Sequence, residues 1–508
     1  MKYLLAHDLG TSGNKATLFD VSGRLLASEI AVYDVFYSNE TWAEQNADDW
    51  WNAVKLSTKN LIAKAGVDGT DIAAISFSGQ MMGCLCIDKE GKPLRNAIIW
   101  ADSRAVVQSE RLEKKISQEE WYHIVGHRNT PSYGIQKLMW VKDNEPTVYE
   151  NTYKMLNAKD YIVYKLTGEV YTDYSDANST GAFDIAALAW SDKIIEAAEI
   201  DRAKFPECKP SNFVAGCVLS EVAAELGLST ETKVVIGAGD GVAANVGAGS
   251  ISPGKAYTCL GTSAWVTTTT DKPIFDENMR IVTWAHMVPG LYAPNGTMQY
   301  AGGAYKWIKD TICLSESDMA KQKGISVYDI LDEKIAKSPA GANGLIFLPY
   351  FIGERAPRWD VDARGTLAGL KPENTREDIL RSVLEGVSLN LSLILDLLRQ
   401  HDDIDELVVL GGGAKGKSWR EILANAFDAK LLVPALLDEA GAMGAAVNAG
   451  VGAGIYEDYS AIDKFIEIRD TELPKEELVK EYALLKEKFN DCYEALKGYY
   501  YKYGKKEN

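Results

Sequence analysis

The chain has 508 residues, more than one hydrophobic core supports, so two or more domains are expected. Its composition, 46% hydrophobic and 25% charged, is that of a globular protein, and a net charge of -18 disfavours nucleic acid and anionic membrane as partners. On such a chain an anionic ligand must be gripped by local devices, backbone N–H groups or a metal.

Residues 2–32 read as a strand meander: "KYLLAHDLG" is apolar, "NKATLFD" alternates, and "VSGRLLASEIAV" carries a Ser-Gly turn. "MKYLLAHDLG" meets an acid too early for a secretory h-region. The first strand delivers Asp8 into a turn of Gly10, Thr11, Ser12 and Gly13. Glycines let backbone N–H groups approach a phosphate, hydroxyls add donors, and an acid at the strand end could hold Mg²⁺ directly or through water. The same residues would also make an ordinary hairpin turn, and this motif alone does not choose.

"NADDWWNAVKLSTKNLIAKAG" predicts a helix ending at Gly66. "IAAISFSGQMMGCLCID" follows as strand, Gly-bracketed turn, strand. Methionines are ordinarily core filler, but Met81 and Met82 in a turn are equally open to a ligand-facing role. Cys84 and Cys86 should share one strand face. Seven cysteines without a CxxC pair, and five histidines without an HExxH cluster, point to reduced core thiols in a cytoplasmic protein. "NAIIWADSR" sets Trp100 after a short apolar strand, to stack on a sugar face or to pack inside. Residues 103–166 read as mainly helical, with "GIQKLMWVKDN" as one segment.

"VVIGAGDGVAANVGAG" runs an apolar strand into Gly239-Asp240-Gly241 and then an Ala-rich helix. An acid at a helix start is commonly a cap. At the end of a buried strand, where ligand crevices form, it could instead take a proton from a substrate hydroxyl. "GAGSISPG" then reads as a boundary, giving domains 1–250 and 251–508. Beyond it, "KAYTCLGTSAWVTTTT" begins a second meander and repeats Leu-Gly-Thr-Ser half a chain later, with Cys259 where the first copy has Asp8. Two such turns facing one another would hold a nucleotide's phosphates from both sides, and a second acid there would repel them.

"TREDILRSVLEGVSLNLSLILDLLRQ" predicts a long helix capped by Thr375. In "ELVVLGGGAKGKSWREIL", residues Gly411 to Ser418 match G-x-x-x-x-G-K-[ST] between a strand and a helix, which makes a P-loop NTPase an alternative. Two features oppose it: the loop lies far from the first strand, and the next apolar run is interrupted by Pro434 rather than ending in a metal-holding Asp. The competing view lays the backbone of Gly411, Gly412 and Gly413 against an adenosine. "AGAMGAAVNAGVGAG" is too short and Gly-rich to span a bilayer. The tail from Leu473 predicts an amphipathic packing helix with Leu478, Tyr482, Leu485, Phe489 and Leu496 on one stripe.

Together these stretches resemble the FGGY carbohydrate kinases, and within them the xylulokinase-like members. "DLGTSGNKA" and "LGTSAW" resemble the two phosphate motifs of that family. "WAEQNADDWW", "IIWADSR", "LPYFIGERAPRWD" and "VLGGGAKGKSWRE" resemble xylulokinase segments. The C-terminal signature is met at Gly365, Leu367, Gly369, Leu370, Asp378-Ile379 and Ser382-Val383-Leu384-Glu385. A second signature fits at Lys137, Trp140, Asp143 and Asn144, but has Gly134 where Pro, Ser or Thr is usual. The resemblance implies an α/β chain with two ribonuclease H-like domains of the actin-like ATPase superfamily flanking a cleft for ATP and sugar. It implies Asp240 as catalytic base and Asp8 as the Mg²⁺ site. Thr11, Ser12, Gly13, Lys15, Gly261 and Thr262 would lie near the phosphates, with Gly302 also on the nucleotide side. Gly412, Gly413 and Lys417 would border the adenosine, and Met81, Met82 and Trp100 the sugar. Homodimers are common in this family. Two departures bear on the sugar: Met81-Met82 stands where xylulokinases have Met-His, and Gly239-Asp240-Gly241 where they have Gly-Asp-Asn. Losing two polar groups alters which sugar fits, so gluconate, ribulose and erythritol or erythrulose stay open beside xylulose. From another class, an actin-like ATPase with protein partners is the rival.

Overall fold

The computed structural model describes residues 2–39 and 41–504. The first meander forms as β1 (Tyr3–Leu9), β2 (Gly13–Asp20) and β3 (Leu25–Val32), paired antiparallel in that order. Helix α1 (Ala47–Ala65) ends at Gly66, whose φ is 65°. The chain then adds β4 (Ile72–Gly79) parallel to β1. Later strands β5 (Val214–Cys217), β6 (Lys233–Val235) and β7 (Ala238–Gly239) complete a seven-stranded sheet. Strands β6 and β7 both run parallel beside β4, and α2 (Asp240–Gly247) leaves β7 directly.

Strand alternation decides where the first acid points. Successive side chains alternate between faces, so Leu5, His7 and Leu9 share one face and Leu4, Ala6 and Asp8 the other. Leu5 and Leu9 pack in a core with Trp50, Val54 and Leu61 of α1. Leu4 and Ala6 join Val242 and Val246 of α2 and Ala442 and Ala446 of a helix from the far end of the chain. Asp8 therefore aims at those two helices.

The second half repeats the design. Strands β8 (Ala256–Leu260), β9 (Ala264–Thr268), β10 (Val282–Ala285) and β11 (Tyr292–Met298) form an antiparallel meander, entered through β8 and β9. Helix α3 (Arg376–Leu398) begins with a capping box: the Asp378 N–H donates to Thr375 Oγ1 at 3.3 Å and the Thr375 N–H to Asp378 Oδ2 at 2.8 Å. Strand β12 (Glu406–Leu410) runs parallel to β8, as β4 does to β1. Helix α4 (Lys417–Phe427) leads to β13 (Lys430–Pro434), parallel to β12. Helix α5 (Ala440–Gly452) crosses back to the first sheet, and β14 (Ile468–Glu472) closes the second, also seven-stranded. The tail forms α6 (Glu476–Tyr503), which buries Tyr482, Leu485 and Phe489 as its stripe predicts and leaves Leu478 and Leu496 half-buried.

Helices α2 and α5 meet at backbone contact. A Cβ on Gly247 would collide with Ala440, and one on Gly444 with the Ala243 carbonyl. The region 103–166 is mainly helical, as expected, with one short strand Lys154–Leu156 inside it. Cys84 and Cys86 are both buried, though Cys84 lies just outside strand Leu85–Ile87 and bridges Ile98 instead. Among the described residues no helix is long and apolar enough to cross a membrane.

Candidate active site

The site begins at the carboxyl ends of three adjacent parallel strands, where ligand crevices form. Asp8 of β1 stands opposite Ser78 of β4, and Ser78 opposite Ala238 of β7. The Ser78 hydroxyl donates to Asp8 Oδ1 at 2.8 Å. Asp240 follows two residues past Ala238, as the first residue of α2. Burial is the main cause that raises both carboxyl groups above their usual range; Asp240 reaches about 7, with the Asp8 charge as the second cause. For Asp8, the Ser78 hydroxyl and Lys15 pull the other way. The Asp240 side chain is open to water although it lies deep between the lobes.

Asp240 does not cap α2 in the usual way: its Oδ1 accepts the neighbouring Gly241 N–H at 2.7 Å. The other half braces this loop. Tyr257 of β8 donates its hydroxyl to the Gly241 carbonyl at 3.1 Å, and Trp265 Nε1 donates to Tyr257 Oη at 3.0 Å.

The first Gly-Thr-Ser turn is held from behind. The Gly10 carbonyl accepts Tyr33 Oη at 2.6 Å, the Thr11 carbonyl accepts Gln45 Nε2 at 2.7 Å, and the Ser12 carbonyl accepts the Tyr33 N–H at 3.2 Å. The Gly10 N–H closes the turn on the Gly13 carbonyl at 3.0 Å, and with the carbonyls of Gly10, Thr11 and Ser12 held by the lobe, the turn's other N–H groups can face outward. Gln45 Oε1 also accepts Trp50 Nε1 at 3.1 Å and Gln80 Nε2 at 2.7 Å, so two buried glutamines tie this turn to the Met81–Met82 turn. Trp100 Nε1 donates to the Thr11 hydroxyl at 2.8 Å. Lys15, opposite Asp8 in register, reaches the start of α5, donating to the Asp438 carbonyl at 2.8 Å and pairing with Glu439 at 3.0 Å.

The second turn is the neutral counterpart. The Gly261 carbonyl accepts the Gly302 N–H at 2.9 Å, and the Thr262 carbonyl accepts those of Ala301 and Gly303 at 2.8 and 3.0 Å. Gly302 approaches Gly261 so closely that no Cβ fits between them. Cys259 takes the place of Asp8, and burial pushes its thiol up to about 12, so it is uncharged at neutral pH.

Gly411–Ser418 is not a P-loop. A short 3₁₀ turn, Gly412–Lys415, precedes α4. The Ser418 N–H donates to Asp332 Oδ1 at 3.0 Å and its hydroxyl to the Asp332 carbonyl at 3.2 Å. A carboxylate thus occupies the helix N-terminus where a P-loop holds phosphate, and the hydroxyl that would face a metal is engaged. Lys417 is exposed beside Glu421. Gly412 faces open space, whereas Gly413 packs on Leu260 and Trp419.

In the Gly-bracketed turn the two methionines part company. Met81 is buried against Gly239; Met82 is half-buried, with φ 61°. The Met82 N–H donates to Ser179 Oγ at 3.0 Å and its carbonyl accepts Lys137 Nζ at 2.8 Å. Lys137 also donates to the Ile99 carbonyl at 2.8 Å, just before Trp100, a residue 40% exposed. Burial lowers the Lys137 ammonium to about 7. Lys137 was visible in sequence as a signature match without a role. Ser78, Ser179 and Gln45 carried no local signal, because their partners lie far away in the chain; Gln80 stood out only as part of the Gly-bracketed turn.

Among the described residues no group of three or more His, Cys, Asp or Glu could hold a metal. One half-buried carboxylate, Asp8, with one oxygen taken by Ser78, fits Mg²⁺, which keeps its waters and takes its other ligands from phosphates.

Residues 3–247 match the N-terminal domain of the FGGY family of carbohydrate kinases, and residues 256–453 its C-terminal domain. The xylulose kinase of Bacillus subtilis is 31% identical over 496 residues, 97% of each chain. The chain belongs to the FGGY family. A gluconokinase of Bacillus licheniformis is 30% identical to this FGGY kinase over 500 residues, 98% of this chain and 97% of that one. The ligand-bound xylulose kinase of Lactobacillus acidophilus superposes with a TM-score of 0.91 at 26% identity, covering 99% of this chain and all of that one. The gluconate kinase of the same organism gives 0.91 at 27%, covering 99% of each. The two sheet-rich domains are those of the actin-like ATPase fold that FGGY kinases share.

Proposed function

We propose that the protein transfers the γ-phosphoryl group of ATP to a terminal hydroxyl of a small sugar, D-xylulose or a related ketose or polyol. One observation carries the reading: Asp8 and Asp240 share one crevice, close enough for one charge to raise the pKa of the other, with a Gly-Thr-Ser turn at the matching strand end of each sheet. Asp240, ionised, accepts the hydroxyl proton as the sugar oxygen attacks. Backbone N–H groups of the turns at Thr11–Gly13 and Gly261–Thr262 bind phosphate oxygens, which suits a chain of net charge -18. Lys15 holds the first turn against α5. Mg²⁺ at Asp8, bound with the nucleotide phosphates, would neutralise the charge that develops on them. Met82 and Trp100 border the sugar, and Gly412, Gly413 and Lys417 the adenosine. We assign residues 1–250 and 251–508 to the two domains, with α5 lent across. We place the activity in the cytoplasm, where the seven free cysteines stay reduced.

D-Gluconate is the second reading. It is favoured by the gluconokinase relatives, as similar as the xylulose kinases. The deciding experiment is coupled ADP release with Mg-ATP against D-xylulose, D-ribulose, D-gluconate, erythritol and erythrulose. One of these should drive turnover. ADP release that is the same with and without every sugar would sink the kinase reading in favour of an actin-like ATPase.

A further inference from the structure

Behind Asp240 lies a buried ion cluster that the chemistry above leaves unused. Lys159 Nζ sits 2.7 Å from Asp160, 2.9 Å from Asp173 and 3.2 Å from Asp176, and all four side chains are shielded from water. Burying such a cluster is costly, and the cost falls where lone pairs find donors. The short helix Tyr174–Ser179 supplies donors to Asp173, and the Asn157 N–H one to Asp160 at 3.1 Å, while Asp176 has only its ion pair with Lys159. Asp173 caps the helix, accepting the N–H groups of Ser175 at 2.9 Å and Asp176 at 3.2 Å, and the hydroxyls of Ser175 at 2.6 Å and Ser211 at 2.9 Å.

Two serines on this helix, four residues apart and so on one side of it, then reach outward. Ser175 Oγ, its proton given to Asp173, accepts the N–H of Gly239 at 2.9 Å, the residue before Asp240. Ser179 Oγ, its proton given to the Asp176 carbonyl at 2.9 Å, accepts the N–H of Met82 at 3.0 Å. Asn157 joins them: its Nδ2 donates to the same Asp176 carbonyl at 3.4 Å and its Oδ1 accepts the Gly83 N–H at 2.9 Å. In each serine the inner acceptor fixes the hydroxyl proton, so a lone pair is what faces the loop.

We propose that the helix Tyr174–Ser179, seated on the Lys159 cluster, locks the backbone before Asp240 and the Met81–Gly83 turn into one rigid unit, with Ser175 and Ser179 as its two contacts. The proposal rests on Asp240 acting on the sugar hydroxyl as described above. Neither serine touches a reacting atom; both are positioning residues. A base and a sugar-binding turn held by one body keep their separation, and a displacement of about 1 Å between them costs turnover even when nucleotide binding is intact.

Hydrogen exchange read by mass spectrometry on the full chain tests the unit directly, in peptides covering 79–84 and 238–241. Ser175→Ala should speed exchange in both peptides, and so should Ser179→Ala. Acceleration confined to the peptide next to the altered serine would overturn the proposal. If Ser175→Ala does not fold, Ser179→Ala decides alone, through the exchange rate at 238–241. Kinetics give a second arm with D-xylulose and D-gluconate. Ser175→Ala should lower kcat roughly tenfold, as expected for one lost buried hydrogen bond, and leave the KM for ATP unchanged. It should also move the acid limb of the pH profile. A lowered kcat with an unmoved acid limb speaks for a merely structural role. If the unaltered chain turns over neither sugar, the proposed reaction fails, while the exchange experiment still decides the rigid unit.

Discussion

The turn at Gly10–Gly13 and its repeat at Gly261–Ser263 share a backbone device and differ in charge. The first is flanked across the strands by Asp8 and Lys15, and Lys15 ties it to Glu439 at the start of α5. The second is flanked by Cys259 and Trp265, both uncharged, and is tied by its carbonyls to Ala301, Gly302 and Gly303. Matching turns in the two halves can thus keep one backbone shape while only one keeps the acid. Where two turns face one polyanion, a second carboxylate would oppose the ligand that both are shaped to hold.

The comparison can be broken at several points. The largest effect should come from the acid that belongs to neither turn. Asp240→Asn should lower kcat by about 10²–10⁴-fold, measured by sugar-dependent ADP release; near-normal turnover would remove it as the base. Next, the asymmetry itself can be altered. Cys259→Asp should raise the KM for ATP by tenfold or more, through repulsion at about the strength of a close charge pair near a surface. Asp8→Asn should instead raise the Mg²⁺ concentration needed for half-maximal rate. If Cys259→Asp leaves ATP binding untouched, the two turns do not share a ligand.

A third effect lies in pH. Asp240 must be ionised to accept a proton, and burial holds its carboxyl up at about 7. The sugar kcat/KM should therefore rise with pH through about 7, falling tenfold per unit well below it. A profile flat down to pH 5 contradicts this. The smallest effect belongs to Lys417. Lys417→Ala should change kcat by less than about twofold and act, if at all, on the KM for ATP. In a P-loop the same change would nearly abolish turnover.

Much of this was legible in the sequence, for identifiable reasons. Both meanders, α1, α3, α4 and α6 announce themselves through alternation, helical periodicity, Thr375 and Gly66. The strand-end position of Asp240 and the repeated turn were readable because glycines bracket them. The P-loop match was the misleading signal. Its letters are right, but nothing local reveals that Asp332, some eighty residues upstream, fills the helix N-terminus. Likewise Met81 and Met82 look equivalent in sequence, and only Gly239 and Lys137, from two other segments, separate them. The face of β1 that Asp8 shares was predictable; the far helix packed on it was not.

That far helix bears on how the molecule is made. One face of the first sheet, through Leu4 and Ala6, is covered by α5 as well as α2. A ribosome delivers α5 only after the second half has been synthesised almost to its end. Until then the first half carries an open apolar face, with Gly247 awaiting the backbone of Ala440. Part of the cover of the first sheet thus lies far beyond Ser250 in the chain. Residues 1–250 expressed alone should be recovered largely as aggregate, and adding residues 436–466 in trans should raise the soluble yield.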